Sequence, residues 1–489
     1  MRVVQSFING RFVPSSSRPI IQLLDPSNAA PATAFHPCDA AQVNEAVACA
    51  KVAQETWYSN YSPAERAKIL RRTADLLTQK SAEIARLESL DTGRPIAETV
   101  PVDVASATDC LYYYAGIAPT IGGQLLDMPG GSFSYTRREP LGVTVGIGAW
   151  NYPLQSAAWK CAPSLAFGNS IVFKPSEETP LTALLLAETF KEAGLPDGVF
   201  NVVLGAGDVG HSLAAHPDVA KISFTGSLAT GTKVAQTAAA DLKKVTMELG
   251  GKSPLIVFAD ADVDQAVSGA MMANWYSSGQ VCSNAARVFV HEDVYDEFMR
   301  KLVARTARMV IGDFRDENVD IGPMVTLAHM NRVLEYIRIG RDVDKATLVH
   351  GGERVQMAGE LGKGYFLSPA IFSDCTDDMT IVREEVFGMV MAVLKFSGEE
   401  EVVKRANDTP YGLSAGLFTQ NLQRAHRVVA KLKAGTTWIN NYNLAPVETP
   451  WGGFKKSGMG RENGTAGVES WTQMKSVYVE MNGVDCPYK

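Results

Sequence analysis

Between residues 143 and 249, five short runs recur: 143–149, 170–174, 200–204, 221–225 and 244–249. Each is apolar or β-branched, and helix-patterned segments such as 179–193 separate most of them. A strand that is apolar throughout has no face to offer water. Such strands, alternating with helices, specify a parallel sheet covered on both sides. This also says where a ligand belongs, because such sheets bind at the carboxyl ends of their strands.

After Gly250-Gly251 a second unit of the same kind begins with a strand at 254–258 and a helix from Asp262. A strand at 287–291, a helix to about Met309 and a looser middle follow. The unit closes with 389–396, a charged helix, 413–418, a helix over 422–432 and 436–440. The first 100 or so residues read as mostly helical, apart from short strands near 6–13 and 20–24. There Ser62-Pro63-Ala64-Glu65 is a capping box with proline at the first helical position. At 121–138, Gly122-Gly123 and Pro129-Gly130-Gly131 punctuate a protruding hairpin whose second segment is 132–136. We expect it to serve as an oligomerisation arm, joined by a strand at 476–480, because an exposed edge invites pairing; an ordinary surface loop is the alternative.

A chain of 489 residues exceeds one ordinary core. The expected fold is α/β, with two doubly wound domains and the β arm. A net charge of −7 argues against a nucleic-acid or anionic-membrane partner. The seven cysteines are scattered, with no CxxC pair and no Cys–His zinc spacing, so neither a disulfide framework nor a structural metal is expected. With no signal-peptide pattern and no membrane-length apolar run, a cytoplasmic location is expected.

Certain residues stand out for chemistry. Cys282 sits in Gly279-Gln280-Val281-Cys282-Ser283-Asn284, just after an apolar segment read as helical to Ser278. Small neighbours leave its sulfur approachable, so it is a candidate nucleophile rather than the small core residue most cysteines are. Glu248 stands among apolar residues at a strand end, where burial raises a carboxyl's pKa and suits it to act as a base; a salt bridge to Lys252 is the alternative. Asn151, directly after a buried strand, can donate to a developing oxyanion or simply hold a turn. Phe224-Thr225-Gly226-Ser227 ends a strand and opens a helix, a place for a pyrophosphate. Lys174 and Glu177 end another strand, suited to ribose hydroxyls or to plain solvation. Gly205-Ala206-Gly207-Asp208-Val209-Gly210 matches the dinucleotide fingerprint but lacks its downstream acid, and reads as an ordinary strand–helix turn.

Six stretches in this order resemble the aldehyde dehydrogenase superfamily: Trp150 to Pro153, Phe173 to Glu177, Phe224 to Ser227, Met247 to Pro254, Gly279 to Asn284, and Glu384-Glu385-Val386-Phe387-Gly388. The resemblance spans about residues 7 to 480. It implies an NAD-binding domain over 1–117 and 138–246, a catalytic domain over 247–469, and an arm made of 118–137 and 470–489. It further implies Cys282 as nucleophile, Asn151 with the Cys282 backbone N–H as oxyanion hole, and Glu248 as activator of the hydrolytic water. Trp150, Lys174, Glu177, Ser227, Glu385 and Phe387 would hold NAD. A carboxylate at Glu177 would repel the extra phosphate of NADP. Met389 departs from the family's usual proline and loosens the local turn.

The resemblance also implies the reaction, oxidation of an aldehyde to an acid through a cysteine thiohemiacetal and thioester, and assembly as a homotetramer or homodimer. Tyr152 and Trp159, seven apart and read as sharing a helix face, together with Tyr276 and Trp451 match the substrate-site aromatics of the branch acting on betaine aldehyde and trimethylaminobutyraldehyde. Four such rings can cage a quaternary ammonium. Betaine aldehyde is thus the expected substrate, with trimethylaminobutyraldehyde or another aminoaldehyde as the alternative. A CoA-acylating relative is disfavoured by Glu248, and a non-catalytic NAD-binding protein by intact Cys282, Glu248 and Asn151.

Overall fold

The computed structural model describes residues 1–488 and is organised around two open sheets. The first runs Gly458–Met459, Lys244–Glu248, Val219–Thr225, Val143–Ile147, Ser170–Lys174, Phe200–Val202, Phe7–Ile8, Arg11–Phe12. Its five middle strands are parallel, and the outer ones are antiparallel additions. Val143–Ile147 and Ser170–Lys174 are buried at every residue, which explains their lack of alternation. From Val143–Ile147 the chain first builds outward on one side, then returns to Val219–Thr225 on the other. The crevice at the carboxyl ends of those two strands is the sheet's switch point.

The second sheet runs Thr347–His350, Ala370–Ser373, Val390–Phe396, Arg287–His291, Pro254–Val257, Ser414–Phe418, Thr436–Ile439, parallel except for the first. It carries its own core around Val288, Phe289 and Met391, while two further cores line the faces of the first sheet. Trp159 packs against a core of each sheet and so marks the seam.

Leu125–Asp127, Phe133–Pro140 and Thr472–Val479 form a separate three-stranded ribbon. The last two pair without interruption from Thr472 opposite Pro140 to Val479 opposite Phe133. Leu125, Met474 and Tyr478 stand exposed on it.

Three sequence expectations need correction. The middle of the second unit is not loose: it holds the helix Leu327–Asp342 and the strands Thr347–His350 and Ala370–Ser373. The N-terminus carries an extra small sheet of Arg2–Val4, Pro31–Phe35 and Ile21–Leu24. The helix before Cys282 ends at Asn274 rather than Ser278. Ser277, Ser278 and Gly279 there adopt left-handed backbone, with φ of 52°, 53° and 70°, which no α-helix continues.

Candidate active site

The carboxyl ends of the first sheet face the loops that enter the strands of the second, and a cavity of about 730 Å³ lies between them. From the first sheet come Trp150 and Asn151 after Val143–Ile147, Lys174 and Glu177 after Ser170–Lys174, Ser227 after Val219–Thr225, and Glu248 at the end of its strand. From the second come Cys282, ahead of Arg287–His291, and Glu385 and Phe387, ahead of Val390–Phe396. One cavity thus gathers nine residues singled out along more than 230 positions of sequence.

At its floor the Cys282 thiol is half-buried. Burial, with Glu248 and Glu385 adding to it, pushes the thiol up to about 12, so it rests protonated. Asn151 donates its side-chain amide to the Gln280 carbonyl at 2.9 Å, which ties it to the cysteine loop. Both Glu248 oxygens are buried without a hydrogen-bond partner. Burial, then Glu462, raises this carboxyl well above the ordinary range. The Lys252 ammonium is also buried and unpartnered, so the two form no salt bridge. A thiol and an unpaired carboxyl sharing one cavity can add to an electrophilic carbon and move a proton.

The rest of the cavity suits a dinucleotide. Ser227 caps the helix Leu228–Ala239 by accepting from the Thr230 N–H, and it lines the cavity at that helix's positive end. Lys174 is 3% exposed and lies 3.4 Å from Glu177, so a lysine and a carboxylate stand together in the cavity wall. Glu385 accepts from the Gly251 N–H at 3.0 Å. A Cβ at Gly250 would collide with the Glu385 carboxylate, so only glycine lets the two approach. The turn Gly205 to Gly210 is more than a connector, since Gly207 and Gly210 line the wall.

Among the lining residues that no sequence motif marks are His329 and Arg332, which ride on the helix Leu327–Asp342 in the stretch expected to be loose. His329 donates from Nε2 to the Phe387 carbonyl at 2.8 Å, and Arg332 donates to the Glu385 carbonyl at 3.2 Å. Burial lowers the His329 ring to about 4, so it stays neutral, packed 5.1 Å from Trp150. Phe387 stands at φ 61° beside these contacts, and Met389, at the position where the resemblance expected proline, is fully buried. The signal was available: Thr326 caps the helix, and Met330, Val333 and Ile337 recur at helical spacing.

The four aromatics do not line this cavity, and they sort into two pairs. Tyr152 is the residue before the helix Pro153–Ala166 rather than part of it, so the shared-face argument fails for it. Its hydroxyl lies 2.6 Å from Ser277 Oγ, and the Arg94 guanidinium stacks 4.2 Å above its ring and 5.9 Å from that of Tyr276. Trp159 and Trp451 meet edge-on at 6.1 Å, with Trp438 at 6.3 Å from Trp451.

Two α/β lobes with a thiol and a buried carboxylic acid at the bottom of their shared cavity define an enzyme of the cysteine-bearing dinucleotide type. Residues 12–477 match the aldehyde dehydrogenase family, and the chain belongs to that family. It is 52% identical over 482 residues to a betaine aldehyde dehydrogenase of Brucella anthropi, covering 99% of this chain and 98% of that one. An aldehyde dehydrogenase of Bacillus cereus in complex with NAD+ superposes with a TM-score of 0.95 at 41% identity, over 98% and 97% of the two chains. A Staphylococcus aureus betaine aldehyde dehydrogenase with NAD+ gives 0.96 at 35% identity, over 99% and 96%.

Proposed function

We propose that the protein oxidises betaine aldehyde to glycine betaine with NAD, Cys282 carrying the acyl group. The observation that carries this is the single cavity in which Cys282, Glu248 and Asn151 share walls with Lys174, Glu177, Ser227, Glu385 and Phe387. The names of the relatives supply the substrate.

The Cys282 thiol gives its proton to water and its sulfur adds to the carbonyl carbon, and Asn151 with the Cys282 backbone N–H receives the charge that develops on oxygen. Ser227 and its helix end would hold the pyrophosphate of NAD, Lys174 and Glu177 the adenosine ribose, and Trp150, Glu385 and Phe387 the nicotinamide end. NAD bound there supplies a hydride acceptor. Glu248 takes a proton from the water that releases the acid from the Cys282 thioester. The 1–117 and 138–246 segments then form the NAD domain, 247–469 the catalytic domain, and the exposed ribbon pairs copies into a dimer or tetramer. Among the described residues no helix is long and apolar enough to cross a membrane, in keeping with a cytoplasmic enzyme.

The test is NADH formation on betaine aldehyde, 4-trimethylaminobutyraldehyde and 3,3-dimethylbutanal, the last a neutral isostere of the first, with the native protein and Trp451→Ala. We expect betaine aldehyde to be preferred, and Trp451→Ala to lose more on it than on the isostere. Equal loss on both would sink the ammonium cage. NAD binding without any NADH formation would leave a non-catalytic binding protein.

A further inference from the structure

Cys282 stands in a tight turn. The Asn284 N–H donates to the Val281 carbonyl at 3.1 Å, which makes Cys282 and Ser283 the two central residues of a four-residue turn. Ahead of the turn Asn151 holds the Gln280 carbonyl, and at its exit the Asn284 amide donates to the Gly279 carbonyl at 3.0 Å. The apex residue, Ser283, is held by groups that the mechanism does not use. The Tyr442 hydroxyl donates to the Ser283 carbonyl at 2.9 Å, and Ser283 Oγ donates to Asn443 Oδ1 at 2.8 Å. Ser414 Oγ lies 3.3 Å from the same carbonyl but 2.9 Å from Ser253 Oγ, so Tyr442 is the closer donor.

Tyr442 reaches this position because the chain after the strand Thr436–Ile439 is bent and pinned. Asn440 and Asn443 stand at φ 52° and 63°, in the left-handed region that asparagine enters more readily than most side chains. Asn440 accepts from the Thr419 N–H at 2.9 Å and donates to the Thr419 carbonyl at 3.0 Å. The Asn443 amide donates to the Met272 carbonyl at 3.0 Å. The Tyr442 side chain is 2% exposed, and its ring packs 4.5 Å from that of Trp438. Burial raises the phenol, so the hydroxyl stays protonated and donates. Two left-handed residues in one short segment cost stability, and what the bend secures is the hold on Ser283.

We propose that Tyr442 is a positioning residue for the reaction: by holding the Ser283 carbonyl it fixes the turn from which Cys282 presents its sulfur and its backbone N–H to the aldehyde. This rests on the reading of Cys282 as the nucleophile. Cys282 and Ser283 share one hydrogen-bonded ring, so fixing the second residue restricts the first. An oxyanion donor works only when aimed where the charge develops, and a misplacement of about 1 Å can cost about a hundredfold. Replacing Tyr442 by phenylalanine keeps the ring and removes only the hydroxyl. Ser283 then retains Asn443, and Ser414 stands beside the freed carbonyl, so the displacement is partial.

The experiment measures first-turnover NADH formation by stopped flow, with enzyme in excess over aldehyde at saturating NAD. The aldehyde is whichever of betaine aldehyde, 4-trimethylaminobutyraldehyde and 3,3-dimethylbutanal the native protein oxidises fastest. Quenching of tryptophan fluorescence gives the Kd for NAD. Tyr442→Phe should slow the first turnover about tenfold and leave the Kd within about twofold of native, because the turn is misplaced while the cofactor walls are untouched. Ser283→Ala removes the other tie to the apex and should slow the first turnover about threefold. Each single variant keeps one tie, so the double variant should fall below the product of the two single losses. The proposal is overturned if Tyr442→Phe stays within about twofold of the native rate, if NAD binding weakens in step with the rate, or if the single losses simply multiply. Absence of NADH from the native protein with all three aldehydes defeats the enzymatic reading, and the proposal with it.

Discussion

Replacing Glu248 by glutamine separates the two halves of the reaction. The native carboxyl is 5% exposed, and neither oxygen has a hydrogen-bond partner, so glutamine breaks no contact and differs only in being unable to accept a proton. Nothing nearby replaces it. His329 has its N–H committed to Phe387 and titrates near 4, and Glu385 is engaged by the Gly251 N–H. The loss should therefore reach the middle of the range for a general base, about 1000-fold in hydrolysis or about 4 kcal/mol. In stopped flow with NAD and betaine aldehyde, the variant should release one NADH per active site in a burst and then turn over about 1000 times more slowly than the native enzyme. The fold should not suffer. Because the folded state raises this carboxyl, its ionisation costs stability that is intact below the unfolded value of 4.5 and lost as pH rises toward the folded value. At pH 8 the melting temperature of Glu248→Gln should thus equal or exceed the native one. Steady-state turnover within tenfold of native, or loss of the burst amplitude itself, would refute the assignment of Glu248 to the hydrolytic water.

Three further predictions concern other parts of the site. With its thiol pushed up to about 12, Cys282 in the cofactor-free protein should react with iodoacetamide at a rate that climbs about tenfold per unit from pH 7 to pH 10, without a plateau. Peptide mass spectrometry distinguishes it from exposed Cys486, and a plateau near pH 8 would contradict the burial argument. Gly279→Ala places a Cβ against the backbone of Gly388 and Met389 at a φ of 70°, and should cost at least about 2 kcal/mol in urea unfolding together with most activity; a native-like midpoint would show that the turn yields. Glu177→Ser removes the carboxylate beside Lys174 and should raise kcat/KM with NADP, relative to NAD, by about tenfold or more; an unchanged ratio would take Glu177 away from the ribose.

What the sequence made legible follows from what periodicity encodes. The buried parallel strands were readable because a strand covered on both faces must be apolar at every position, as in Ser170–Lys174. The residues that line the cavity from the first sheet were readable because they follow the ends of its strands, whereas Cys282, Glu385 and Phe387 precede strands of the second sheet and were found from their local motifs. Helix Leu327–Asp342, with His329 and Arg332, carried its signal in the Thr326 cap and the spacing of Met330, Val333 and Ile337, but the strands after it, Thr347–His350 and Ala370–Ser373, are short and leave little pattern around it. The pairing of Tyr152 with Arg94 was also hidden, since a contact between residues 58 positions apart leaves no local pattern. Tyr152 and Trp159 were placed on one face by spacing alone, and the helix start at Pro153 undid that.

The central claim is that Cys282 carries the acyl group between oxidation and hydrolysis. It is tested most directly by acid-quenching Glu248→Gln with NAD and betaine aldehyde and weighing the peptide that contains Cys282. The account predicts that this peptide gains the mass of one betaine acyl group, labile to hydroxylamine and absent in Cys282→Ser. An unmodified Cys282 peptide alongside stoichiometric NADH would contradict it.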